Sequence, residues 1–166
     1  MNSPITNRKT PTEHENQAFR QDTSITVEPL TGPDDGRLIR LLSGFLRAIG
    51  EELLTDEKQR LLLQGICEKR IVFFLAESGS QAIGMCSVAR CFSTFACGDV
   101  GVFEDFYIEP AFRGKGIARK LAQAAQAWCR EQGMASVTVC CAPCDEKMYQ
   151  ALGFEENLGV TYAHLT

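Results

Sequence analysis

The chain reads as an α/β protein built on one mixed sheet with helices on both faces. Three observations predict this. Alternating or β-branched apolar runs recur at Ile25–Pro29, 71–76, 82–89, 100–108 and 136–141. Segments with apolar residues at helical spacing lie between them. The resulting order is strand, two helices, several antiparallel strands, helix, strand, helix, strand, which interleaves the two kinds of element instead of segregating them. The length agrees, since 166 residues make one domain plus an appendage at roughly 100 to 200 residues per domain. With 45% hydrophobic and 23% charged residues, a chain of this size buries about 68 to 70% of its unfolded surface.

Residues 1–24 are polar, mixed in charge and marked by Pro4 and Pro11, a composition whose burial cannot offset the entropy of ordering it. They are expected to form a disordered tail, leaving 25–166 as the domain. The first strand is Ile25–Pro29. A turn at Gly32-Pro33-Asp34-Asp35 follows, with Asp34 or Asp35 as cap for a helix over Arg37–Ile49, where Leu38, Leu41, Leu42, Phe45 and Ile49 share one stripe. Thr55 is the expected N-cap of a second helix over 55–69, buried through Leu61, Leu62 and Ile66. Strand 71–76 turns through Ser78-Gly79-Ser80 into 82–89, a hairpin. After a loop over 94–99 comes strand 100–108, then a loop at 110–114 and a long helix over 114–132, stopped by Gly133. Strand 136–141 ends at Pro143, and Asp145 caps a short helix through Leu152. A last strand pair is open to 153–155 and 160–165. No segment repeats.

Lys and Arg number 17 against 21 Asp and Glu, a net charge of -4. No global positive field exists to hold nucleic acid or an anionic membrane. No stretch approaches the roughly 20 apolar residues that span a bilayer, and 1–24 lacks the apolar core of a secretory signal. A cytoplasmic protein is expected. Of its eight cysteines, Cys67, Cys86, Cys129 and Cys140 fall inside apolar segments, as buried reduced cysteines do.

The most informative stretch runs from Glu104 to Leu121. A strand enters a loop, Arg113-Gly114-Lys115-Gly116, that opens directly into a helix carrying Ile117, Leu121, Ala124, Ala125 and Trp128 on one side. First-turn N–H groups have no intrahelical partner and the helix dipole is positive there, so an anionic phosphate is the natural guest. Gly114 and Gly116 allow close backbone approach, while Arg113, Lys115 and Arg119 add charge. No Gly-Lys-Ser or Gly-Lys-Thr closes the loop, and it lacks the three glycines of a dinucleotide fingerprint. A different phosphate-bearing cofactor is indicated.

These residues resemble the GNAT superfamily of N-acetyltransferases. Its signature of Arg or Gln, two residues, Gly, one residue, then Gly or Ala is met by Arg113, Gly116 and Ala118, and Tyr149-Gln150-Ala151-Leu152-Gly153-Phe154 is similar to its downstream Tyr-x-x-Leu-Gly-Phe segment. The resemblance spans nearly everything beyond the tail and implies the GNAT acyl-CoA N-acyltransferase fold, a mostly antiparallel sheet with helices on both faces. It implies acetyl-CoA as cosubstrate and no metal. The pyrophosphate would lie on Arg113, Gly114, Lys115, Gly116, Ile117, Ala118 and Arg119, and the pantetheine arm along Phe106, Tyr107 and Ile108 where that strand splays from its neighbour through a bulge. A backbone N–H near Phe106 or Tyr107 would hold the developing oxyanion.

The implied acceptor is a primary amine of a small molecule, attacking directly in a ternary complex. Alternatives are a protein or peptide amine and a noncatalytic acyl-CoA-binding module. Amines are mostly protonated at neutral pH, so a base helps. Glu104 is the candidate, because partial burial in an apolar strand raises a carboxyl pKa, and Glu104-Asp105 resembles the Glu-Asp pair of spermidine/spermine acetyltransferases. Strand alternation turns Asp105 to the opposite face, although a bulge could exchange the two, and it stays a reserve candidate. Tyr149 matches the family tyrosine that protonates the departing thiolate. Where the family usually has Asn shortly before it, this chain has Cys144-Asp145. Cys141-Ala142-Pro143-Cys144 has metal or redox spacing, yet a zinc site wants a second such pair and Cys91 with Cys97 is spaced differently. Cys141 is expected to pack on its strand. His14 and His164 receive no role. Acceptor choice would rest with 37–69, 92–99 and 159–166, which carry no acceptor signature, and the sequence leaves a homodimer open.

Overall fold

The computed structural model describes residues 24–32, 36–159, 161 and 163. The expected tail, the Asp34 or Asp35 cap, His14, His164 and most of the final strand lie outside them. Five strands form one sheet in the order β1 (Ile25–Pro29), β2 (Ile71–Ser78), β3 (Gln81–Ser93), β4 (Gly98–Ile108), β5 (Val137–Val139). The first four pair antiparallel and β5 joins β4 in parallel, the mixed sheet expected. Residues 153–159 take no strand conformation. No helix of the described residues is long and apolar enough to cross a membrane.

Helix α1 (Arg37–Ile49) has the bounds its apolar spacing predicts, burying Leu38, Leu41 and Leu42 against Phe73, Leu75, Ala82 and Met85 on one face of the sheet. Ile49, expected in that stripe, is exposed at the helix end. In α2 (Asp56–Cys67) Thr55 accepts from the Lys58 N–H at 3.3 Å, the expected cap. Leu62 and Ile66 pack while Leu61 faces water. Helix α3 (Ile117–Glu131) covers the other face, seating Ile117, Leu121, Ala125 and Cys129 on Phe74, Ile83, Cys86, Val88 and Phe103. It starts at Ile117 and not at 114 because Gly114 and Gly116 sit at φ 75° and 77°, left-handed conformations that no helix contains. At its other end Gly133, φ 70°, turns the chain so that the Met134 N–H reaches the Cys129 carbonyl at 3.0 Å, a glycine stop.

Two departures shape the site. β5 pairs with β4 only through Gly101–Val137, Val102–Thr138 and Phe103–Val139; the expected strand to 141 peels away, because a 3₁₀ turn at Pro143–Asp145 leads the chain into α4 (Glu146–Ala151). Cys140 and Cys141 are consequently exposed, as is Cys67 on α2, contrary to the buried reading; Cys86 and Cys129 are buried as expected, and all eight thiols are free. In β4 the register against β3 slips: Met85 faces Tyr107 and Ser87 faces Glu104. Asp105 and Phe106 therefore oppose the single residue Cys86, a bulge made possible by Asp105 at φ 50°.

Candidate active site

Beyond Phe103, the edge of β4 from Glu104 to Ile108 has no β5 partner, so the backbone groups aimed at that side are open to a peptide-like ligand. Phe106, Tyr107 and Ile108, the expected arm-binding residues, all lie on this edge. Their side chains diverge. Phe106 stacks among Phe103 at 5.4 Å and Tyr149 at 6.2 Å between ring centroids, and Ile108 packs toward α3. Tyr107 lies against α1, close enough to Gly44 that a Cβ there would sit 2.9 Å from its hydroxyl.

At the far end of this edge stands the loop expected to cradle a phosphate. The first hydrogen bond into α3 is Lys120 N–H to the Gly116 carbonyl, which leaves the N–H groups of Ile117, Ala118 and Arg119 free of intrahelical partners. A Cβ on Gly114 or Gly116 would meet nothing within 4 Å, so the loop is open on its outer side. Arg113, Lys115 and Arg119 are exposed. Arg113 Nε donates to the Ile108 carbonyl at 3.0 Å, tying the loop to the strand. Lys115 Nζ lies 4.9 Å from the Phe112 ring centroid. The Ile117 side chain is 1% exposed in the core, so only its backbone faces the cradle. Orphan donors, open glycines and three cations fit a pyrophosphate.

The splay itself opens a cavity of about 360 Å³ bounded by Glu104, Asp105, Phe106, Cys140, Tyr149 and Phe45. Both expected catalytic side chains meet there. Glu104 is more exposed than its apolar strand predicts, and the partial desolvation it does meet, with the Asp105 charge adding to it, pushes its carboxyl up. Tyr149 is half-buried among the rings of Phe103, Phe106 and Phe154. Burial raises its phenol first, followed by the charge of Asp145 and by Cys141. Asp105 does not turn away as simple alternation expects. The left-handed bulge brings it to the same cavity, where the buried Ser87 hydroxyl donates to its Oδ2 at 2.6 Å. Ser87 and Phe45 escaped the sequence reading. Ser87 is the one polar interruption in the apolar run of β3, a signal that was available; Phe45 looked like any stripe residue. Among the described residues no three His, Cys, Asp or Glu side chains gather to hold a metal.

A mixed sheet with splayed parallel strands, an open glycine loop with exposed cations before the next helix, and a carboxylate pair and a phenol in the cleft are the features that an acyl-transfer enzyme working from a phosphate-bearing carrier needs. The acetyltransferase (GNAT) family model matches residues 33–154. The aminoglycoside N(6')-acetyltransferase type 1 of Salmonella typhimurium is 31% identical over 138 residues, covering 78% of this chain and 79% of that protein. Among solved structures, an aminoglycoside acetyltransferase from an uncultured soil metagenomic sample, in complex with sisomicin, superposes with a TM-score of 0.77 at 16% identity, covering 87% of this chain and 97% of that one. A predicted acetyltransferase from Clostridium acetobutylicum with acetyl-CoA gives 0.71 at 20% identity, covering 85% and 96%. The chain belongs to the GNAT acetyltransferase family and is an N-acetyltransferase.

Proposed function

We propose that this enzyme transfers the acetyl group of acetyl-CoA to a primary amine of a small polycationic acceptor of the aminoglycoside kind. One observation carries the reading: two carboxylates, Glu104 and Asp105, line the same cavity as a half-buried phenol, at the point where the β4 edge becomes free. A cationic amine is drawn to the carboxylates, and the aromatic walls of Phe45 and Phe106 exclude water from it. The aminoglycoside acetyltransferase similarity supports the acceptor class.

The residues divide the work. Exposed Arg113, Lys115 and Arg119 with the first N–H groups of α3 would hold the pyrophosphate, and the backbone of Phe106 to Ile108 would hold the arm; acetyl-CoA supplies the activated acetyl group when bound. Glu104 takes a proton from the bound ammonium, directly or through one water, and its raised pKa makes it the better base near neutrality. Tyr149 stays a phenol at neutral pH and gives its proton to the leaving sulfur.

The test is a panel of aminoglycosides, polyamines, simple monoamines and lysine peptides, assayed for release of CoA thiol. Turnover best with an aminoglycoside or polyamine is the expected result. Turnover with the peptides alone would move the acceptor to protein amines, and acetyl-CoA binding without turnover on any amine would leave a binding module.

A further inference from the structure

Ser87 is the one polar side chain among the buried residues described, fully enclosed on β3. A hydroxyl in such a place costs stability unless it is bonded, and alanine would fill the position without that cost. Its bond goes to Asp105 Oδ2 at 2.6 Å. Asp105 is the residue at φ 50° in the β4 bulge, a conformation that Asp tolerates but that needs support from its surroundings. Ser87 is also the cross-strand partner of Glu104. Thus one buried hydroxyl grips the bulge where the strand changes register, directly opposite the residue read as the base.

We infer that Ser87 is a positioning residue for acetyl transfer: its hydroxyl fixes the Asp105 carboxylate in the cavity beside Glu104 and holds the bulge that presents both. The inference rests on Glu104 being the base. The Asp105 charge raises the Glu104 carboxyl, so fixing Asp105 there moves the base toward neutral pH. Without the hydroxyl the carboxylate turns to water and takes its charge away from Glu104. The other titratable groups around the pair are Tyr149 from α4, Cys140 after β5, Cys86 from β3 and Tyr107 on β4; α1 contributes Phe45 to the cavity lining.

The test follows kcat against pH for the best amine, with Glu104→Gln as the reference for the amine's own titration. Ser87→Ala is expected to fold and keep the wild-type KM for acetyl-CoA. Its kcat should drop by about tenfold, as for a misplaced catalytic group. Its acid limb should move to lower pH by about half a unit or more, as for loss of a neighbouring like charge. Asp105→Asn should move the limb the same way, the double variant no further, and Ser87→Thr, which keeps a hydroxyl, should hold the limb at the wild-type position. An acid limb unmoved in folded Ser87→Ala overturns the inference. If Ser87→Ala does not fold, an unmoved limb in Asp105→Asn overturns it equally. A wild-type acid limb in Glu104→Gln would instead remove Glu104 as base, a failure of the functional reading that the Ser87 variants do not share.

Discussion

At Tyr149, burial favours the chemistry. Three neighbouring rings half-bury it, the phenolate is disfavoured, and Asp145 adds a like charge, so the phenol keeps its proton at neutral pH and holds it ready, in the proposed role, for the charge that develops on the leaving sulfur. Tyr149→Phe keeps the ring contacts and loses the proton. Turnover should fall by roughly 10 to 10⁴-fold with acetyl-CoA affinity and melting temperature nearly unchanged, checked by steady-state kinetics beside calorimetry. Glu104 carries the opposite lesson, because its raised pKa is a stability penalty. The folded state holds that proton more tightly than the unfolded chain, so the contribution to stability is present below the unfolded value near 4 and is lost as pH rises through the folded value. Glu104→Gln should therefore melt higher than wild type at neutral pH, with the gain vanishing at acid pH, while its activity falls most at acidic and neutral pH and recovers partly as free amine accumulates. Thermal scans over a pH series read the first effect. Both Glu104 and Tyr149 line the cavity, and as candidates they were legible residue by residue. Asp105 was not, because alternation assigns a face only while the register is unbroken.

The N-terminus of α3 shows why the two glycines of its loop differ from Gly101 of β4. At Gly116 the backbone is left-handed and the space outside is open, so a side chain there meets the ligand and not the protein. Gly116→Val should weaken acetyl-CoA binding by about 1 to 3 kcal/mol through lost close approach, with about 1 to 2 kcal/mol of strain lowering stability. Calorimetric titration of the folded variant decides, and wild-type affinity would remove the loop from the phosphate site. Gly101 on β4 is the reverse case. A Cβ there would lie 2.9 Å from Val88 Cγ1 and 3.1 Å from Cys129 Sγ, inside the packing of α3 on the sheet. Gly101→Ala should destabilise by about 1 to 3 kcal/mol by overpacking, seen as a lower melting temperature with little change in KM. At this scale α1 was readable to the residue, because a stripe of Leu38, Leu41 and Leu42 specifies both period and length. β5 was read too long, since Cys140 and Cys141 continue an apolar run although no partner strand continues beside them.

For the whole molecule, the composition of residues 1–24 proposes a tail outside the domain at 25–166. Deleting 1–24 should leave the melting temperature and turnover nearly unchanged; a large loss of either would show that the segment packs. The sequence by itself determined the order of elements as far as α4, the two helix-covered faces and the glycine loop before α3, because hydrophobic period, capping and glycine placement are local and act within a few residues of where they are written. The tertiary structure alone decided the length of β5, the slip between β3 and β4, the convergence of Asp105 with Glu104, and the bond from Ser87. Each of these depends on which strand lies beside which and in what register, a relation between residues 18 or more positions apart in the case of Ser87 and Asp105. Alternation along one strand cannot encode it, since one extra residue in a bulge reassigns every face that follows.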